Sequence, residues 1–319
     1  MNVLFVIDPL PGLKAWKDSS VAMMRGLAAR GHTFSFATMP DLYVLEGRVR
    51  VAATAMQLVD DPDWSGHAWW QQSAQADDCL LADFDAVLMR KDPPFDMEYF
   101  HATHLFDHAR AQGARVFNSG EAMRNHPEKL SIIEFPQYTT PTLVSRDMAR
   151  LRAFHAQYGD VIVKPLDGMG GSGVFRLLPD DPNLGAILEA LTQLGSQSIM
   201  AQRYIPAIVQ GDKRILIIDG VPVPYALARM PMAGETRANL AAGGRGVAQP
   251  LSTRDLELAH AVGERLAPRG LLLIGLDVIG DCITEINVTS PTCFVEITEQ
   301  TGVDVAGRFV EALERAVSA

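Results

Sequence analysis

Asp277, Glu285 and Asn287 stand on two apolar runs, residues 271–278 and 283–287, that otherwise read as buried strands. Carboxylates there are costly unless a cation or hydrogen-bond donors compensate. An all-oxygen donor set of this kind suits Mg²⁺ held by one or two carboxylates together with substrate phosphates. Glu285 and Asn287 are two apart and share a face. Asp277 joins that face, opposite Glu285, if the turn is the three-residue Gly280-Asp281-Cys282; a two-residue Gly280-Asp281 turn would pair it with Thr284. The odd-length loop is the expectation.

Phosphate chemistry is suggested upstream, in residues 161–178. Gly168-Met169-Gly170-Gly171-Ser172-Gly173 follows the apolar run 161–164 and matches G-x-G-x-x-G. A dinucleotide fingerprint would open a helix at this point, but Val174-Phe175-Arg176-Leu177-Leu178 reads as strand and Pro179 and Pro182 end it. Strand, glycine turn, strand predicts a hairpin flap whose backbone N–H groups close over phosphates. Lys164 sits immediately before that flap and Lys129 begins a helix upstream, so both can meet phosphate charge. Arg214, Arg229, Arg237 and Arg245 fall in residues 200–246, which hold six Lys and Arg against three Asp and Glu within a chain of formal charge −10. Guanidinium groups fit carboxylate and phosphate bidentately, and the glycine-rich stretch 230–246 predicts a lid that excludes water during reaction.

The remaining composition narrows the class. With 48% hydrophobic and 21% charged residues the chain is an ordinary globular protein, and its net negative charge argues against nucleic acid or an anionic membrane as partner. Cys79, Cys282 and Cys293 form no Cys-x-x-Cys pair, so structural zinc and a disulfide framework are not expected. The opening run 3–7 ends at Asp8-Pro9, too short for a span or signal segment; a cytoplasmic location is the expectation. No Ser-His-Asp or Cys-His pattern stands out, and Trp64, Trp69 and Trp70 read as packing.

The elements that must position these residues follow from periodicity. Strands at 3–7, 33–37, 86–89 and 115–117 alternate with helices capped at Asp18-Ser19-Ser20 and running over 98–111, which predicts a doubly wound α/β unit. A hairpin turning at Glu46-Gly47 interrupts it. From about residue 120 the pattern becomes α+β: strands at 141–144, 161–164, 174–178 and 198–202 with helices at 151–158 and 182–194. Two strands then flank Asp219-Gly220, a helix covers 253–266, and helical segments close the chain after Pro291.

Together, the strand-lysine-flap unit, the following strand, the arginine lid and the terminal D…E-x-N resemble the ATP-grasp superfamily and, within it, the bacterial glutathione synthetases. The resemblance is carried by Met89-Arg90-Lys91-Asp92-Pro93-Pro94, Lys164-Pro165-Leu166-Asp167-Gly168-Met169-Gly170-Gly171, residues 234–246 and Glu285-Ile286-Asn287-Val288-Thr289-Ser290-Pro291. It departs from the usual Asn-Glu-Lys-Leu phrase, with His126-Pro127-Glu128-Lys129-Leu130 here, but keeps the lysine. The implied fold class is α/β, an ATP-grasp fold with an N-terminal doubly wound α/β substrate-side domain (1–122), a central subdomain with the flap (123–203) and a C-terminal subdomain with lid and metal site (204–319).

The resemblance also implies an activity and roles. The activity is ATP-dependent joining of γ-glutamylcysteine to glycine, with Mg²⁺, or Mn²⁺ in its place, as the metal. Lys129, Lys164 and the loop Gly168, Met169, Gly170 and Gly171 would meet the ATP phosphates, Gln202, Tyr204 and Ile205 the adenine, and Asp212 the ribose. Asp277, Glu285 and Asn287 match metal ligands. Arg214, Arg229, Arg237 and Gly171 would act on the reacting centre. Arg214, Arg229, Asn287, Thr289 and Ser290 would hold the dipeptide, with Asp8, Ser20 and Arg90 reaching it from the first domain. A homo-oligomer, a tetramer, is implied as well. A ligase for another amino-acid pair, a nucleotide-binding regulator and a dehydrogenase are the competing readings.

Overall fold

The computed structural model describes the chain except residues 61, 67, 74–75 and 233–244. Three sheets follow one another along the sequence. The first contains β1 (Asn2–Val6), β2 (Thr33–Ala37), β3 (Leu42–Leu45), β4 (Arg48–Leu58), β5 (Trp70–Gln72), β6 (Asp77–Leu80), β7 (Ala86–Met89) and β8 (Val116–Phe117). Helices α1 (Ser19–Ala29), α2 (Met97–Ala111) and α3 (Gly120–Asn125) accompany it. Its centre, β2-β1-β7-β8, is parallel. The β3-β4 hairpin extends it antiparallel to β2, so the doubly wound expectation holds for the core and not for that edge. Glu46 and Gly47 turn the hairpin with φ of 49° and 75°, the left-handed pair a two-residue turn requires.

Period-two alternation in β1 divides the first core. Val3, Phe5 and Ile7 join Val21, Met24 and Leu27 of α1, while Leu4 and Val6 join Tyr99 and Phe106 of α2. Both faces of the parallel strands are thereby covered, as such sheets require. Asp18 caps α1 by accepting from Ser20 N (2.7 Å) and Val21 N (3.0 Å).

One glycine sets a close helix approach. A Cβ on Gly120 would lie 2.1 Å from the Thr103 carbonyl oxygen of α2, and backbone cannot yield as a flexible side chain could. Gly120→Ala should therefore cost about 1–3 kcal/mol, the usual range for overpacking, read as a lowered Tm; an unchanged Tm would contradict this tight approach.

The second sheet has β9 (Thr142–Ser145), β10 (Val161–Pro165), β11 (Phe175–Leu177) and β12 (Ile199–Arg203), with α4 (Met148–Tyr158) and α5 (Leu184–Thr192). Its order is β11-β10-β12-β9, antiparallel throughout. Val161 and Val163 pack with Leu151 of α4 and Leu188 of α5, so alternation turns Ile162 and Lys164 to the opposite face.

The third sheet, β15-β14-β13-β16-β17, is also antiparallel. It is built from β13 (Asp212–Ile218), β14 (Val221–Met230), β15 (Arg245–Pro250), β16 (Leu273–Ile279) and β17 (Cys282–Asn287), with α6 (Thr253–Leu266), α7 (Phe294–Thr301) and α8 (Val305–Ser318). Ile215 and Ile217 face Leu258 and Val262 of α6. Leu216 and Ile218 face the closing helices, and Phe309 and Val310 of α8 enter the same cluster as Val3 and Phe5 of β1.

The β16-β17 turn corrects the expected loop. Ile279 pairs with Cys282, so the turn is the two-residue Gly280-Asp281. Asp277 nevertheless pairs with Glu285, because a bulge admits Thr284 as an extra residue between Val278↔Ile283 and Asp277↔Glu285. The shared face is as expected, but a bulge rather than an odd loop resets the alternation.

Among the described residues no helix is long and apolar enough to cross a membrane. Cys79, Cys282 and Cys293 are free.

Candidate active site

Cross-strand register assembles the charged face of the third sheet. Asp212 pairs with Arg229, Arg214 with Asp277, Asp277 with Glu285, and Gly275 with Asn287. Arg214 Nε donates to Asp277 Oδ1 and its Nη2 to Oδ2 at 3.0 Å. Arg229 Nη2 lies 2.9 Å from Asp277 Oδ2 and donates to Asp212 Oδ2 at 2.5 Å. Gly275 makes room for this, since a Cβ there would stand 3.2 Å from Arg214 Cδ and 3.0 Å from Pro291 Cβ.

Glu285 is met from the other side by lysines. Lys164 Nζ lies 3.4 Å from Glu285 Oε1 and donates to Thr284 O at 3.3 Å, and Lys129 Nζ lies 3.6 Å from the same Oε1. Lys129 also donates to the Gly168 carbonyl of the flap at 2.5 Å. Burial alone would raise these carboxyls, but Lys164 and Lys129 hold Glu285 below its ordinary pKa, and Arg214 and Arg229 hold Asp277 far below. Asp212 goes the other way. Burial, with the nearby Asp277 and Glu285 charges, pushes it up to about 7 despite Arg229, and its Oδ1 is buried without a partner.

Two cavities meet at this acidic pair. One, about 120 Å³, lies between the second and third sheets and is lined by Lys129, Lys164, the loop 168–172, Gln202, Tyr204, Ile205, Asp212, Asp277 and Glu285. The other, about 470 Å³, opens toward the first sheet and is lined by Lys14, Lys17, Asp18, Asp92, Glu128, Arg214, Arg229, Asn287, Thr289, Ser290, Cys293 and Glu296 among others. Gly168, Met169, Gly170, Asp277 and Glu285 belong to both. The flap joins antiparallel β10 and β11, Val163 pairing with Phe175, so the helix that a dinucleotide fingerprint needs is absent there. Gly170, Gly171 and Gly173 take φ of 61°, 82° and 70°, conformations that side chains disfavour.

Residues 202–205, beside the smaller cavity, are fastened from several directions. Tyr204 N donates to Asp160 O at 2.9 Å, and the Arg176 guanidinium lies 3.6 Å from the Tyr204 ring centroid while bonding both Asp160 carboxylate oxygens. Gln202 Nε2 donates to Thr142 Oγ1 at 3.1 Å.

Asp8, Ser20 and Arg90 line neither cavity. Arg90 is buried, donating from Nε to Ser20 Oγ and from Nη2 to Pro291 O, both at 2.9 Å, and its Nη1 has no partner. Asp8 accepts from Asp92 N at 2.8 Å and pairs with Lys91 at 3.1 Å. These three therefore stand behind Asp92 and Pro291, which do line the larger cavity. Arg237, with most of the expected lid, lies outside the described residues. Lys14, Lys17, Glu128 and Glu296 also line the larger cavity, and the sequence does not single them out, because a charged residue on a loop or a helix face shows no spacing that marks a cavity.

The donor set suits a hard cation. Among the described residues no three His, Cys, Asp or Glu side chains converge, so an ion would rest on Asp277, Glu285 and the Asn287 amide oxygen, with ligand oxygens completing its shell. Asn287 Nδ2 donates to Gly275 O at 3.1 Å, which leaves its Oδ1 for that purpose.

A family model described as prokaryotic glutathione synthetase, ATP-grasp domain, matches residues 128–302, and one described as prokaryotic glutathione synthetase, N-terminal domain, matches residues 1–124. The glutathione synthetase of Bordetella parapertussis is 69% identical over 316 residues, spanning 99% of each chain. That of Ralstonia nicotianae is 57% identical over 316 residues, spanning 99% of this chain and 96% of its own. Among solved structures, the D-cycloserine synthetase DcsG is similar with a TM-score of 0.70 at 15% identity, over 99% of this chain and 100% of that one; this likeness bears on fold alone.

Proposed function

Since the chain belongs to the prokaryotic glutathione synthetase family and has the ATP-grasp fold, we propose that its paired cavities carry out the ATP-dependent ligation of γ-glutamylcysteine with glycine, yielding glutathione, ADP and phosphate. The observation that carries this is the meeting of two cavities at Asp277 and Glu285 beneath one glycine flap. A nucleotide in the smaller cavity and a dipeptide in the larger would face each other across that point.

A carboxylate is a poor electrophile, so the cysteinyl carboxylate first takes the γ-phosphoryl group of ATP. The glycine nitrogen, as the neutral amine after its ammonium has given up a proton, then forms the new C–N bond as the C–O bond to phosphate breaks; phosphate leaves with the electron pair and takes up the proton the nitrogen loses. Lys129 and Lys164 offset the phosphate charge, and the N–H groups of residues 168–171 cover it. Gln202, Tyr204 and Ile205 border the adenine, and Asp212 the ribose. Arg214 and Arg229 orient the dipeptide carboxylate with Thr289 and Ser290, and Asp8, Ser20 and Arg90 serve that cavity from behind by holding Asp92 and Pro291. Asp277, Glu285 and Asn287 would hold Mg²⁺, or Mn²⁺ in its place; when bound it draws negative charge from the phosphate oxygens. Because an acyl phosphate hydrolyses in water, closure over the site matters. Arg237 is assigned to that closure.

The test is ADP release by purified protein with Mg-ATP, γ-glutamylcysteine and glycine, omitting each in turn. Stoichiometric ADP and glutathione only in the complete mixture is the expected result. Tight ATP binding without turnover would remove the substrate assignment. A homotetramer in the cytoplasm completes the proposal; light scattering should then give about four times the 34.8 kDa chain mass.

A further inference from the structure

The larger cavity holds a carboxylate, Glu128, that no cation among the described residues touches. Asp277 is met by two arginines and Glu285 by two lysines. Glu128 accepts one hydrogen bond, from the neutral Thr289 hydroxyl to Oε1 at 2.7 Å, and among the described residues no Lys, Arg or His nitrogen lies within 4.0 Å of it. Burial raises its pKa and the neighbouring Glu285 charge adds to the rise, while the Thr289 bond and the more distant Lys129 and Arg214 charges oppose it. A carboxylate so placed is costly without a counter-charge. No protein cation touches it, since Lys129 and Arg214 act on it only from beyond 4.0 Å, and that contact is left for a ligand to make.

The backbone fixes where that counter-charge must sit. Ile286 N of β17 donates to Glu128 O at 2.9 Å, tying Glu128 to the strand that carries Glu285. The next residue, Lys129, lines the nucleotide-side cavity, whereas Glu128 lines only the larger one. Two consecutive residues thus flank the point where the cavities join.

Resting on the ligase reading above, we infer that Glu128 receives the ammonium group of the acceptor amino acid, glycine, with Thr289 holding one carboxylate oxygen and leaving the other for the substrate. Two amines enter this reaction. The α-amine of the γ-glutamyl group is separated from the reacting carboxyl by the whole glutamyl side chain, and so belongs at a distance from the junction. The glycine nitrogen must come within roughly 3–3.5 Å of the reacting carbon, which places it at the junction and beside Glu128.

The experiment separates the two halves of the reaction. Hydroxylamine, neutral at assay pH, intercepts the acyl phosphate as a hydroxamate and needs no ammonium site. Glu128→Gln should raise the glycine KM roughly 10- to 100-fold, the range for losing a charge-assisted hydrogen bond, while the dipeptide KM and hydroxamate formation are retained. An unchanged glycine KM overturns the inference, and so does an equal loss of hydroxamate and glutathione, which would place Glu128 in phosphoryl transfer or in the fold. Should that variant be insoluble, Glu128→Asp reads the same quantity: drawing the charge back by one methylene should raise the glycine KM alone, and no change overturns the inference. Wild-type protein forming neither hydroxamate nor glutathione would overturn the ligase reading, and the inference with it.

Discussion

Replacing Lys164 by methionine is expected to cut ADP release by roughly 10²- to 10³-fold, as removal of a preorganised electrostatic contact to a transferring group does. Methionine keeps most of the apolar stem on β10 and deletes only the charge. Alternation in β10 aims Lys164 away from the α4-α5 core and toward Glu285. The ammonium answers that carboxylate in this structure, and on the proposed function it would answer phosphate once nucleotide binds. Lys129 remains 3.6 Å from Glu285, so the carboxylate is not orphaned, and the stability loss should stay below the about 3–5 kcal/mol of a fully unpaired buried charge. ADP release and Tm are the readouts; wild-type ADP release would remove Lys164 from the site.

Arg214→Met should destabilise the protein by about 1.5–3 kcal/mol, the range for losing hydrogen bonds to a charged group, because Asp277 would stay buried with Arg229 as its one remaining partner. Arg214→Met with Asp277→Leu should recover most of that loss, since buried ion pairs commonly contribute no more than packed apolar residues of similar size. Ligation should remain absent in both. Urea-unfolding midpoints and ADP release distinguish the cases. A double variant as unstable as the single one would show that the pair is kept for the fold rather than for chemistry.

Much of this site is legible in the chain, unevenly and for physical reasons. The flap is readable because Val174 to Leu178 denies the helix that a dinucleotide fingerprint needs, a purely local contradiction. The face shared by Asp277 and Glu285 is readable from alternation, but its route is not: the bulge at Thr284 is chosen by the sheet, and no residue type announces it. The pairing of Arg214 with Asp277 depends on β13 lying beside β16, a matter of strand order across more than 60 residues. Glu128 gains meaning only when β17 docks against it. The resemblance implies that Asp8, Ser20 and Arg90 reach the dipeptide from the first domain, yet none of them lines either cavity, and Arg90 anchors the Pro291 carbonyl.

The placement of α8 has a consequence for how the molecule is made. Val3 and Phe5 of β1 are covered in part by Phe309 and Val310, and translation delivers the N-terminal unit first. A nascent first sheet therefore waits with one apolar flank incompletely covered until Val305–Ser318 has emerged. The larger cavity is walled by residues 12–18 on one side and 289–293 on the other, and α1 and α7, which follow those walls, share one apolar cluster with α8. Both cavities share Asp277 and Glu285, carried on β16 and β17, so the two are completed together in one late docking event after the first two sheets have emerged.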